Sequence, residues 1–336
     1  MPTPPVVILG VPRSGTTWVQ DVLGGCSGVQ TVSEPDNETR MTWPLVAKAG
    51  LGRFPLLGPG DRAPRYEWLW RAACVGGGSS SRVLWTRRRQ LRWPGVEEAE
   101  AACDPDRRLG LRPRALAWIG RPALGPVAAD RVLVKSVHAA LCADWVCERI
   151  PARVVVVQRD PFEVVASWRS MGARHDGASE RLEYAGSPER ILSRAALAHL
   201  SRCYGPVPAG RDRAITWLAA GLMSELSAFA GRRRDVLVVD FDEACAAPRR
   251  VLAAVALKLG LRWGPRADAV LAARNRPGSG WDTTREAAQV PGSWRRRLDP
   301  VVVNGIDAEL SRFDRLRRSA GPEDLTDRTS DRSRRA

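Results

Sequence analysis

Lysine is nearly missing from this sequence. Only Lys48, Lys135 and Lys258 occur among 52 basic residues, so almost all the positive charge is arginine. The formal net charge is +15. Such an excess suggests an anionic ligand, nucleic acid or an anionic surface. An arginine bias with abundant alanine, glycine and proline is also what GC-rich coding leaves, so charge alone does not choose. Histidine is as scarce, at three scattered residues with no ligand cluster, and no metal site is expected. The seven cysteines are odd in number and contain no C-x-x-C pair. That argues against a zinc or disulfide framework and fits reduced thiols in a cytoplasm. No apolar run of about 18 residues or more occurs, so no membrane span is expected. The first apolar run, Val6–Leu9, is short and lacks a basic leader, so no secretory signal is expected.

What is present is an alternation. Four short, continuous, β-rich runs stand out: Val6–Leu9, Val132–Val134, Val154–Val157 and Val236–Val239. Continuous apolar runs fit strands of a parallel sheet buried on both faces. Helix-like stretches at Thr17–Leu23, Leu141–Arg149, Phe162–Met171, Ala214–Ala230 and Pro248–Leu259 separate them. The pattern predicts an α/β fold of three layers, a central parallel sheet flanked by helices with right-handed crossovers. Between about Asn37 and Asp130 the pattern breaks down, and Gly76–Ser81 reads as a loop. A stretch this long predicts an insertion over the active face. Gly172–Arg213 reads the same way. From about Gly321 the chain is polar and charged, which predicts a disordered tail.

The first strand runs into Gly10-Val-Pro-Arg-Ser-Gly-Thr-Thr17 and then a helix. Gly15 permits a turn that aims successive amides at one point, and the helix N-terminus adds partial positive charge. Ser14, Thr16 and Thr17 offer hydroxyls and Arg13 a full charge. The loop is a phosphate cradle. A nucleotide-hydrolysing loop has the same spacing but ends in a lysine that reaches the β- and γ-phosphates. Thr16 stands in that place, so the loop is poorly equipped for a triphosphate with magnesium.

Pro12-Arg-Ser-Gly-Thr-Thr-Trp18 resembles the 5′-phosphosulfate loop of the sulfotransferases that use 3′-phosphoadenosine 5′-phosphosulfate (PAPS). The resemblance implies a P-loop-like fold, with PAPS as co-substrate and no metal. It implies that Arg13, Ser14, Gly15, Thr16 and Thr17 bind the 5′-phosphosulfate and that Trp18 lies against the adenine. Trp18 reads equally well as a core residue of a buried helix face. About 145 residues further on, Arg159-Asp-Pro161 follows a strand, and Ser167 comes eight residues after Arg159. This resembles the family's 3′-phosphate signature. Arginine past a strand end suits a phosphate, because its fork donates two parallel hydrogen bonds. Asp160 is expected to cap the next helix and Pro161 to start it. A surface salt bridge of Arg159 with Asp160 or Glu163 is the alternative. Val236–Leu261 resembles the family's late strand, acidic turn and helix. Pro291–Leu298 resembles its late cofactor loop, with Gly292, Trp294 and Arg295, beside Ser293, as cofactor-binding candidates.

Sulfuryl transfer needs an in-line acceptor, a base for its proton and positive charge on the departing oxygen. Lys135, at a strand end, suits the last role. Glu34 sits at the spacing where protein-tyrosine sulfotransferases and several bacterial relatives place a catalytic glutamate. To work near neutrality it needs a pKa raised by desolvation. His138 is the second candidate, since Lys135-Ser-Val-His138 resembles the strand-end motif of the cytosolic sulfotransferases with one extra residue between. Glu34 is preferred.

The expectation is a single sulfotransferase domain over 1–320, with an acceptor-binding insertion at 37–130 and a disordered tail at 321–336. The acceptor, a small molecule, carbohydrate or natural product, is not legible, nor is the oligomeric state. A P-loop small-molecule kinase using Asp240 or Asp242 for magnesium is the rival enzyme. No nucleic-acid partner is expected, because the arginines are interspersed with acidic residues and no recognition motif is present.

Overall fold

The computed structural model describes residues 3–38, 43–76, 129–173, 187–277 and 286–313. β1 (Val6–Leu9), α1 (Thr16–Leu23) and β2 (Val29–Ser33) open the chain, followed by α2 (Trp43–Ala47) and α3 (Pro64–Cys74). β3 (Arg131–Ser136), α4 (Ala143–Arg149), β4 (Arg153–Gln158) and α5 (Pro161–Ala173) form the middle. α6 (Pro188–Ile191), α7 (Arg194–Tyr204) and α8 (Arg211–Arg232) lead to β5 (Val236–Asp240). α9 (Phe241–Ala246), α10 (Pro248–Leu259), α11 (Pro265–Arg274), α12 (Trp294–Arg297) and α13 (Pro300–Leu310) follow.

The strands form a five-stranded sheet in the order β2-β3-β1-β4-β5, and every pairing is parallel. The four continuous apolar runs are β1, β3, β4 and β5. β2 was not foreseen. It reads Val-Gln-Thr-Val-Ser and lies at the sheet edge, with only Val32 fully buried. A half-exposed edge strand carries no continuous apolar run to detect.

Side chains alternate across the sheet and split its core in two. Val7, Leu9, Val132, Val134, Val154 and Val156 face a layer containing Trp145, Trp168 and Trp217. Val6, Ile8, Leu133, Val155 and Val157 face a layer containing Val19, Leu252 and Leu259. The three-layer α/β expectation holds. Trp145, Trp168 and Trp217 have no exposed surface. Truncating any one to alanine should cost roughly 3–5 kcal/mol.

α8, at 22 residues, has the length and apolar content of a membrane span, but 72% of its most apolar window is buried inside the protein. Gly172–Arg213 is not all irregular. Among its described residues are α6 and α7, the latter capped by Ser193, whose side chain accepts from the Ala196 N–H at 3.2 Å. Of the expected insertion 37–130, residues 39–42 and 77–128 lie outside the described residues, as does the expected tail 321–336. Its described part packs inward: Trp43, Phe54, Tyr66 and Trp70 are buried in the core.

Candidate active site

The C-terminal ends of the parallel strands gather the sequence-derived candidates. β1 ends in the phosphate loop, β2 in Glu34, β3 in Lys135 and Ser136, and β4 in Arg159. β1 is the point where successive connections diverge to either side of the sheet, the place where ligands bind in open α/β folds.

The loop is held open by its backbone. Ser14 N–H donates to the Val11 carbonyl at 3.1 Å. Arg13 and Gly15 take left-handed conformations, with φ of 71° and 93°. A Cβ on Gly15 would lie 2.1 Å from the Phe241 ring, so glycine is required twice over. Trp168 Nε1 donates to the Pro12 carbonyl and an Arg159 guanidinium nitrogen to the Arg13 carbonyl, each at 2.8 Å. These bonds tie the loop's carbonyls to neighbouring side chains. Among the described residues no side chain caps the first turn of α1, and a helix N-terminus of this kind suits an anion. Ser14 Oγ and Arg159 Nε are buried without a hydrogen-bond partner among the described residues. Buried donors in that condition fit a site that takes an anion. Thr16 is buried in the first turn of α1. Trp18 is also buried, edge-on to Phe241 with ring centroids 5.7 Å apart.

Lys135 comes to the loop from the next strand. It is fully buried, and its Nζ donates to Thr17 Oγ1 at 3.1 Å. The same ammonium donates to Glu34 Oε1. The pairing register explains this meeting, since Ser33 of β2 lies opposite Lys135 of β3. Glu34 N–H then donates to the Lys135 carbonyl at 2.7 Å. Glu34 has φ of 50°, rare for a residue other than glycine, and such a backbone costs on the order of 1–3 kcal/mol. Asn37 Nδ2 donates to Glu34 Oε2 at 2.7 Å and completes the support.

Ser136, one residue on, faces the other side of the sheet. Its hydroxyl donates to Asp36 Oδ2 at 2.7 Å, and Tyr66 OH donates to the same oxygen at 3.1 Å. Lys48 Nζ bonds the Asp36 carbonyl at 2.9 Å and Glu38 at 2.6 Å, and Arg53 pairs with Glu38 as well. Burial alone would raise the Glu38 pKa. Lys48 and Arg53 outweigh it and hold the carboxyl well below the usual carboxylate range. His138 lies within this cluster. It has no exposed surface, its Nδ1 is 3.4 Å from the Asp36 carbonyl, and its ring stands edge-on to Phe54. Burial, reinforced by the Lys48 ammonium, pushes its imidazole down to about 4.

On the other side of β1, Arg13 and Ser167 meet directly, with Arg13 Nε donating to Ser167 Oγ at 2.8 Å. Arg159 bonds Glu163 at 3.1 Å, the pairing weighed above as an alternative, and also reaches the loop carbonyl. Glu163 is fully buried and receives Arg297, Ser293 Oγ and the Trp294 N–H as well. Asp160 caps α5 through the Phe162 N–H at 2.7 Å, and Trp294 Nε1 donates to its other oxygen at 3.1 Å. Trp294 stacks on Phe162 at 4.5 Å between centroids, and the Arg295 guanidinium lies 4.3 Å from the Trp294 ring centroid. Gly292, at φ 71°, turns the late loop into this position. The late loop is thereby fastened beside Arg159.

Phe241 and Asp36 were not singled out by the sequence, and Glu163 was foreseen only as a surface salt-bridge partner of Arg159. Phe241 lies against Gly15 and Trp18, with the Arg159 guanidinium 4.9 Å from its ring centroid. Asp36 joins β3 to the Glu34 turn. Glu163 organises the late loop. Only Glu163 left a trace, at a helical i,i+4 spacing from Arg159.

The sulfotransferase family model matches residues 4–265. Among curated proteins no relative matches. Solved structures that the chain is similar to include the sulfotransferase domain from the curacin biosynthetic pathway, at 13% identity and TM-score 0.46, covering 94% of this chain and 98% of that one. A sulfotransferase from Mycobacterium tuberculosis H37Rv is 16% identical with TM-score 0.42, covering 93% of this chain and 77% of that one. The sulfotransferase domain of the Synechococcus PCC 7002 olefin synthase is 15% identical with TM-score 0.40, covering 91% and 94%. The family match spans the phosphate loop, both base candidates, Lys135 and the Arg159–Ser167 pair, and on it the chain belongs to the sulfotransferase family.

Proposed function

We propose that the protein transfers a sulfuryl group from PAPS to a hydroxyl or amine of a small-molecule, carbohydrate or natural-product acceptor. The observation that carries this reading is the position of Lys135, whose ammonium reaches both Thr17 of the phosphate loop and Glu34. A loop without its own lysine is supplied with one from β3, beside a carboxylate.

In this reading the loop amides, Arg13, Ser14, Thr16 and Thr17 hold the 5′-phosphosulfate. Arg159, Ser167 and the loop of Gly292, Trp294 and Arg295 hold the 3′-phosphate, and Trp18 borders the adenine pocket. The acceptor oxygen attacks sulfur in line. Glu34 takes its proton as the new S–O bond forms. The bridging S–O bond breaks, and the bridging oxygen leaves with adenosine 3′,5′-bisphosphate, its charge stabilised by Lys135. Glu34 is assigned the base role over His138, because His138 is sealed in the Asp36–Glu38–Lys48 cluster against Phe54. The kinase reading, with Asp240 or Asp242 for magnesium, is set aside because Thr16 stands where a nucleotide-hydrolysing loop carries its lysine.

Thermal unfolding with ligands tests the reading. Adenosine 3′,5′-bisphosphate at about 100 times its Kd should stabilise by about 2.7 kcal/mol, and ATP with magnesium should not. Stabilisation by ATP with magnesium alone overturns it. Labelled PAPS offered with an acceptor library then identifies the acceptor class.

A further inference from the structure

Away from the phosphate loop, α7 and α8 bring together three donor side chains that the sulfuryl-transfer reading leaves unused. His199 and Cys203 stand one helical turn apart on α7, so they share a face. Glu225 of α8 meets that face. His199 Nε2 is 3.3 Å from Glu225 Oε2 and 4.0 Å from Cys203 Sγ. The three donor atoms all lie within 4.8 Å of one another. We propose that His199, Cys203 and Glu225 form a site for zinc or a similar divalent transition metal that fastens α7 to α8.

Chemistry and spacing agree. Imidazole, thiolate and carboxylate are zinc's usual ligands, and metal–ligand bonds of about 2.0–2.3 Å in a tetrahedron set ligand atoms about 3.4–3.6 Å apart. A small inward turn of Cys203 closes the remaining gap. The carboxylate is already oriented, since Tyr204 OH donates to Glu225 Oε1 at 2.9 Å and leaves Oε2 toward His199. Such an outer partner is what metal-binding carboxylates commonly have. Cys203 is exposed, so the fourth position opens to water, and binding releases the thiol proton to solvent. The cluster is not visible in the sequence, because Glu225 lies 22 residues beyond Cys203 and joins it only through the packing of α7 on α8.

The test is zinc titration of the full chain against a chromophoric chelator. One equivalent should bind, and Cys203→Ser and His199→Ala should each weaken it by about tenfold or more. Cobalt(II) should give a thiolate charge-transfer band that Cys203→Ser abolishes, while circular dichroism shows both variants folded. One equivalent of zinc should raise the unfolding temperature of the parent chain and not of either variant. Absence of stoichiometric binding, or binding and a cobalt spectrum unchanged in Cys203→Ser, overturns the proposal.

Discussion

Glu34 and Lys135 are joined twice. The backbone N–H of Glu34 donates to the Lys135 carbonyl at 2.7 Å, and the Lys135 ammonium donates to the Glu34 carboxylate. The first bond sets where the turn leaves β2, and the second sets where its side chain points. Because Lys135 also reaches Thr17, one ammonium links the base candidate to the phosphate loop. Lys135→Ala should therefore lower kcat about 10²–10³-fold. Affinity for adenosine 3′,5′-bisphosphate should fall far less. Steady-state kinetics with calorimetric binding measures both, and an unchanged kcat removes the role.

Glu34→Gln keeps the shape but cannot accept a proton, and its single amide oxygen can accept from only one of Lys135 and Asn37. A drop of about 10²–10⁴-fold in kcat is expected, with little change in donor binding. His138→Gln in the same assay should leave kcat within about tenfold of the parent.

Gly15 and Gly60 separate two costs of adding a methyl group. Both have positive φ, 93° and 88°. Among the described residues a Cβ at Gly60 meets nothing within 4 Å, whereas at Gly15 it meets the Phe241 ring. Gly60→Ala should cost about 1 kcal/mol, the backbone strain alone. Gly15→Ala should cost more than that and abolish donor binding, as read from denaturant unfolding and calorimetry.

Glu163 is buried between Arg159 and Arg297, and it anchors Ser293 and Trp294. Removing a buried partner leaves uncompensated charge, so Glu163→Ala should destabilise by about 3–5 kcal/mol. Its effect on adenosine 3′,5′-bisphosphate affinity should exceed that of Arg296→Ala, which changes an exposed neighbour. Equal effects would separate the late loop from cofactor binding.

The His138 cluster gives stability a pH dependence. Its folded pKa, about 4, lies below the ordinary 6.5. Between those values the unfolded chain binds more protons, so stability rises with pH there. The contribution is complete above about pH 6.5 and is lost as pH falls toward 4. His138→Asn should flatten the unfolding temperature over that window, and an unaltered slope would rule His138 out as its source.

The sequence revealed the four buried strands and the segments that follow them, but not the helices α2, α3, α6 and α7, whose stretches carry many Pro, Gly and Arg residues. β1, β3, β4 and β5 are continuous valine-rich runs, and the phosphate loop and the Arg159–Ser167 pair each fit within one turn-and-helix segment. β2 escaped because an edge strand with one buried side chain has little apolar pattern. The Asp36 and Glu163 networks escaped because their partners lie up to 134 residues apart. Lys135 was legible as a strand-end lysine, but its contact with Glu34 depends on the register of β2 against β3. The environment of His138 depends on Lys48, Arg53 and Phe54, within a stretch whose sequence has no recognisable pattern.

Lys135 and Ser136 are adjacent in the chain but serve opposite faces of the sheet, one the phosphate loop and the other the Asp36 cluster. This makes β3 sensitive to length more than to composition. Apolar exchanges at Val132 or Val134 preserve which side each residue takes, whereas loss or gain of one residue before Lys135 would turn the ammonium into the tryptophan layer and the serine toward the loop. A single-residue insertion or deletion within the strand should accordingly not be tolerated.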